Sequence, residues 1–214
     1  MKLFTKKIAA IMLGVMMGFA GFASGPFQGT IKFTKTIGPV TANYVYYVKG
    51  DLVRVEELGE NGEIQGIMIV DTKANTVKAL SPERQMFIDV PNKRPARETD
   101  VYVQKTSKTQ TINGYNCTQV KVTGKDDGRE VTFWVADDDF DFLVPMLETL
   151  NRKDKLAVYF MNVPDIQGMF PMMGIEKKTD GVELTKLQVN EVNKTDLDNS
   201  LFEIPADYTK FERE

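Results

Sequence analysis

The chain has 214 residues, with 27 basic and 30 acidic side chains, one cysteine and no histidine. Without histidine there is no Ser-His-Asp or Cys-His catalysis and no imidazole metal site. Without a second thiol there is no internal disulfide, and the surplus of acid argues against a nucleic-acid or anionic-membrane surface.

The chain opens on a basic stretch with Lys2, Lys6 and Lys7, followed by an apolar run from Ile8 to Phe22. Gly21 and Ala23 supply small residues before Ser24, which predicts a cleaved secretory signal peptide over residues 1–23. Ala20 is an alternative cleavage position. The apolar run is shorter than the roughly 20 residues a membrane anchor needs. Cys117 lies far from the cleavage point, so no lipid attachment is expected there. The expectation is an unlipidated periplasmic domain over residues 24–214, with no membrane-integral segment and 24 basic against 30 acidic side chains. That length fits one domain with its own core.

Most of the remaining chain reads as strands. In FQGTIKFTKTI, Phe27, Gly29, Ile31, Phe33 and Ile37 fall on one face, the alternation of a half-buried strand. TANYVYYVKG and LVRVEEL follow, with Gly50-Asp51 as the turn between them. Glu60-Asn61-Gly62 is the next turn, leading to IQGIMIVD, NTVKAL and RQMFIDV. Ser81-Pro82-Glu83 separates the last two. Residues 91–100, PNKRPARETD, read as a loop. Strands resume at VYVQKTS, NCTQVKVTG and REVTFWVA, the last two joined through Lys125-Asp126-Asp127-Gly128. A helix is predicted within 139–152, where Phe140, Leu143, Leu147 and Leu150 share a stripe and Phe142 and Met146 widen it. Pro145 either begins the regular helix or kinks it near its start. GVELTKLQVNEV is a late strand, and FEIP a short terminal one.

Little catalytic chemistry is on offer. Asp137, Asp139, Asp141 and Glu148 have calcium-loop spacing, but Phe142 stands where the sharp turn requires glycine. These aspartates read instead as solvating a strand–helix junction and favouring the helix's positive end. Met161, Met169, Met172 and Met173 are soft enough for Cu(I), yet their spacing is irregular and no imidazole supports them. No metal or cofactor is expected. Core filling and an apolar binding surface both remain open for these methionines. Cys117 shares a strand with Val120 and Val122 and reads as a small core residue. No glycine-rich phosphate loop occurs, and nothing marks the chain as an enzyme.

The order YYVKGDLVRVEE, IMIVDTKANTVKALSPERQMFID, TINGYNCTQVKV, VTFWVADD and LFEIPADY resembles a bacterial exported family, domain of unknown function 4412. More distantly, Val48-Lys49, Arg54, Asp71, Pro82 and the segment from Phe170-Pro171 resemble the periplasmic lipoprotein carrier family LolA. That resemblance implies a curved antiparallel sheet forming an unclosed half-barrel, with a helix on its concave side and a cavity for acyl chains. It makes Arg54 a candidate counterpart of the carriers' functional arginine. The alternation of Arg54 with Val53 and Val55 reads instead as a solvated strand residue. The carriers begin with a helix, whereas here a strand starts almost at once, so one main helix is left to cover the cavity.

The expectation is therefore a mainly β (α+β), LolA-like half-barrel with one main helix on the concave side. It would be a monomeric, non-enzymatic periplasmic binding protein for a lipid, a lipoprotein acyl chain or another hydrophobic ligand. The candidate ligand-binding residues are Leu143, Leu147, Leu150, Met169, Phe170 and Met172, with residues 161–171 as a mobile apolar flap and 172–179 entering a strand. The alternative is an envelope structural or protein-interaction module with no small ligand.

Overall fold

The computed structural model describes residues 25–91, 99–151 and 153–212. The expected signal peptide, 1–23, lies outside them, as does most of the predicted 91–100 loop. In chain order the strands are β1 (Gly29–Ile37), β2 (Val40–Lys49), β3 (Leu52–Leu58), β4 (Ile64–Asp71), β5 (Thr76–Ser81) and β6 (Met86–Asp89). Then come β7 (Val101–Ile112), β8 (Tyr115–Gly124), β9 (Arg129–Asp137), β10 (Met169–Lys178), β11 (Glu183–Lys194) and β12 (Thr209–Lys210). Helices α1 (Leu143–Leu150) and α2 (Lys155–Phe160) stand between β9 and β10, and a 3₁₀ turn covers Asn199–Phe202.

All these strands form one 12-stranded sheet in the order β12-β6-β5-β4-β3-β2-β1-β11-β10-β9-β8-β7. Two meanders, β1 to β6 and β7 to β11, are joined where β1 pairs antiparallel with β11. The outer strands β7 and β12 do not pair with each other, so the curved sheet stays open. Only β12, against β6, runs parallel to its neighbour among the described residues. Tight hairpins follow from local chemistry. Asn113 and Gly114 both take positive φ, 50° and 83°, as a two-residue hairpin turn requires.

Alternation along the strands divides the apolar residues between two faces. Ile31 and Phe33 of β1, Val53 and Val55 of β3, Val70 of β4 and Phe133 of β9 join the main core. This is the concave side, where α1 lies against β4 and β5 and α2 against β9 and β10. On the opposite face Ile67, Ile69 and Leu80 form a second, smaller core with Phe87 and Tyr208 packed on it. The chain after β11 runs back over this convex face before adding β12 at the edge.

Several expectations need correction. The expected main helix is α1, and a shorter helix, α2, joins it on the concave side. The aspartates of 137–141 do not serve α1. It starts after Phe142, with no side-chain cap and no acid in its first turn. Backbone hydrogen bonds from Asp138 and Phe140 to the Gly168 carbonyl shape that junction instead. The segment 161–171 is not lifted off as a flap. Val163, Ile166 and Phe170 are buried in the main core, because their apolar surface gains more there than in water. Strand β10 starts at Met169 and accommodates Pro171, which has no N–H to donate, at a register shift. FEIP is no strand. Phe202 is buried in the 3₁₀ turn, and the terminal strand is Thr209–Lys210.

Candidate functional site

A cavity of about 80 Å³ lies between the middle of the concave face and the two helices. Its floor crosses six neighbouring strands. β3 contributes Val55, β2 Tyr44 and Tyr46, β1 Phe33 and Lys35, β11 Leu187, β10 Gly174, and β9 Phe133. Phe33 stacks on Tyr44 with ring centroids 5.2 Å apart and meets Tyr46 edge-on at 4.7 Å. Gly174 keeps the floor low. A Cβ there would press to 3.3 Å from Phe133 and Leu156. The roof is Leu143 and Leu147 of α1 with Leu156, Ala157 and Phe160 of α2. A larger hollow of about 300 Å³ lies beside Phe211, lined by β5, β6, Arg84 of the turn between them and that residue. It is more open than the concave cavity and reads as a surface groove.

Two charges stand in the lining, Lys35 and Asp154, and they pair at 3.3 Å. Asp154 lies between the helices, and its Oδ1 also accepts from the Ala157 N–H at 3.2 Å, capping α2. Lysine and aspartate side chains keep 15% and 33% of their surface exposed, so the pair marks the mouth of the cavity.

The other side of α2 is tied to the β8–β9 hairpin. The Tyr159 hydroxyl donates to Asp127 Oδ1 and Oδ2 at 2.6 and 2.7 Å, and Lys155 pairs with the same carboxylate. A side chain at Gly124 would come within 2.1 Å of both the Tyr159 hydroxyl and Asp127 Oδ1, so only glycine lets them meet. Burial, and then the Asp127 carboxylate, push the Tyr159 hydroxyl well above its ordinary value. Burial also works to raise Asp127, but hydrogen bonds from Lys155 and Tyr159 override it and hold the carboxyl below its ordinary range. Nearby, buried Glu176 is satisfied by Thr185 Oγ1 at 2.8 Å and by Arg129 at 3.1 Å. At six residues α2 is too short to persist alone. These ties and the burial of Leu156, Tyr159 and Phe160 hold it.

Of the residues singled out from sequence, Leu143, Leu147 and Phe170 line the cavity. Leu150 and Met169 pack against the main core outside the lining, and Met172 is wholly buried. Lys35, Asp154, Tyr44 and Tyr46 were not foreseen. The signal for Lys35 was present, because it occupies an inward position in the alternation of Phe33 and Ile37. An aspartate before Leu156 and Ala157 was likewise a helix-start signal.

The remaining candidates sit elsewhere. Cys117 is fully buried, and burial raises its thiol. No group of three or more metal-type ligands forms among the described residues. Arg54 is not a solvated strand residue. It donates to Glu56 at 2.7 Å and to the Leu201 carbonyl at 3.0 Å, and only 11% of its side chain is exposed. Its place is the convex face, where it fastens the returning chain. No helix among the described residues is long and apolar enough to cross a membrane.

Solved structures align with most of the chain. An uncharacterized conserved protein from Thermus thermophilus aligns with a TM-score of 0.55 at 14% identity, over 89% of this chain and 92% of that one. PNGF-II aligns at TM-score 0.48 and 14% identity over 86% of this chain but only 31% of its own length. A putative outer membrane lipoprotein-sorting protein domain from Vibrio parahaemolyticus aligns at TM-score 0.34 and 10% identity, over 81% of this chain and 87% of that one. At such identity the first likeness speaks for the open-sheet fold alone. No curated protein sequence matches the chain. The family model of domain of unknown function DUF4412 matches residues 27–208, and the chain belongs to that family.

Proposed function

We propose that the concave cavity binds the acyl chain of a lipid or lipoprotein, or a comparable apolar ligand, in a periplasmic and non-enzymatic carrier or sensor. The observation that carries this reading is the aromatic and aliphatic cavity between sheet and helices. Small-molecule sites are concave and mostly apolar, and this lining has that character. At about 80 Å³ the cavity is smaller than the roughly 300 Å³ at which such sites begin. Binding therefore involves outward movement of α1 and α2, which rest on the sheet through side chains rather than ladder hydrogen bonds.

The test is saturable binding of a neutral naphthylamine fluorophore to the folded protein, displaced by a fatty acid and lost in Leu147→Lys. If the folded wild type takes up neither probe nor fatty acid, the cavity is only a packing gap. The second reading, an interaction module, is favoured by the exposed Ile37, Val40 and Val182 at adjoining hairpin tips. A binding partner lost on Val40→Asp and Val182→Asp, with no probe uptake, supports it instead.

A further inference from the structure

We infer that the cavity's ligand is a single-chain amphiphile with a compact anionic head, and that this head takes the place of Asp154 on Lys35. The inference rests on the proposed binding function and names the chemistry of its ligand.

Lys35 is the anomaly of the site. The rest of the lining, Asp154 aside, is uncharged and mostly aromatic or aliphatic. A cation withdrawn from water among such residues is costly unless an anion meets it. Among the described residues, Asp154 is the only carboxylate paired with Lys35, at 3.3 Å. A lysine that served only as a staple for α2 would do so equally well outside the cavity, as Lys155 does with Asp127.

The two halves of the pair are unequally held. Lys35 issues from the middle of the sheet, between Ala42 of β2 and Leu187 of β11, and its side chain is 15% exposed. Asp154 sits in the link between the helices, is 33% exposed, and shares one oxygen between the lysine and the Ala157 N–H. The cation is therefore fixed and the anion is exchangeable. An incoming carboxylate or phosphate head meets Lys35 at the mouth, while Asp154 turns to solvent and keeps its cap. The tail then points toward Phe33, Tyr44, Tyr46 and Phe133 on the floor and Leu147 on the roof. Losing the Lys35 tie also frees the start of α2, which couples head binding to the enlargement that a tail requires.

The experiment compares dodecanoate, dodecyl phosphate and dodecanol as displacers of the neutral fluorophore from the folded protein. The anionic amphiphiles are expected to bind about tenfold tighter than the alcohol, the scale of a hydrogen bond to a charged group. Lys35→Gln should erase that preference, and Lys35→Arg should keep it. Asp154→Asn retains an N-cap residue of equal quality and removes the competing carboxylate, so it should widen the preference. A wider gap for dodecyl phosphate than for dodecanoate assigns the head to the phosphate class, and the reverse to the carboxylate class. Equal binding of all three by the wild type, with Asp154→Asn without effect, overturns the inference and leaves the apolar cavity standing. Failure of all three to displace the fluorophore overturns the cavity's function as well.

Discussion

The two faces of the sheet are covered in different ways. On the convex side a single strand of chain is pinned by polar bonds. Lys49 and Arg54 donate to the carbonyls of Leu197 and Leu201, and Glu56 receives both Arg54 and, at 3.1 Å, the Tyr47 hydroxyl. On the concave side two short helices rest mainly on apolar contacts, with ion pairs only at their margins. A cover pinned through backbone carbonyls holds one register and closes a small core. A cover resting on apolar side chains can slide or lift and meet a new apolar surface at little loss, because the hydrophobic effect has no direction. On the proposed reading, one face serves structure and the other ligand exchange.

The sharpest break in this comparison comes from charges placed on the concave side at two depths. Met172→Lys puts an ammonium at a fully buried position and is expected to cost at least about 4 kcal/mol and unfold the domain. Leu147→Lys, at the edge of the roof, leaves room for the lysine stem to reach water. It should retain the β circular dichroism of the wild type while losing probe uptake. If both variants unfold alike, the roof is core rather than cover.

Next in size is the convex pin. Glu56→Ala strands Arg54 where its side chain is only 11% exposed, and the loss expected from urea melts is about 3–5 kcal/mol. The double change Arg54→Met with Glu56→Leu should recover most of it, since the uncompensated charge is then gone. Neither variant should alter probe affinity. An effect on binding would show that the faces are coupled.

A smaller effect is expected where α2 meets the β8–β9 hairpin. Tyr159→Phe removes the hydroxyl from Asp127 and should cost about 1–2 kcal/mol in thermal or urea unfolding. The pH dependence has two limbs. Asp127 is depressed in the folded state, so its contribution is whole above its ordinary value of 3.8 and is lost as pH falls through the folded value. Tyr159 is raised, so its contribution is whole below 10.0 and is lost as pH rises through the folded value. Tyr159→Phe should flatten the alkaline limb. Smallest of all, Cys117 should react slowly with a thiol reagent in the folded protein and quickly in urea, because it is buried and its thiol is raised.

The strands were legible because two-residue alternation survives in short windows. The face carrying Ile31 and Phe33 is the face that is buried. The helical stripe of Leu143 and Leu147 correctly marked α1 as a cover. What escaped notice depended on contacts distant in sequence. Arg54 looked solvated because one of its partners is the Leu201 carbonyl, far along the chain, which no window around β3 contains. Residues 161–171 looked like a flap because Pro171 and Gly168 suppress periodicity, while burial there is decided by packing on other elements. Helix α2 was missed because six residues span less than two helical turns, too few for a stripe to repeat. Lys35 went unnoticed between Phe33 and Ile37 on the apolar face, yet it is one of the two charges in the cavity.

Ligand exchange at the concave face alone is tested by methyl NMR of the folded protein titrated with dodecanoate. Saturable shifts are expected at Val55, Leu143, Leu147, Leu156 and Leu187, which line the cavity. None are expected at Ile67, Ile69 and Leu80 of the convex core. Shifts centred on the convex group, or no saturable shift at either, would overturn that assignment.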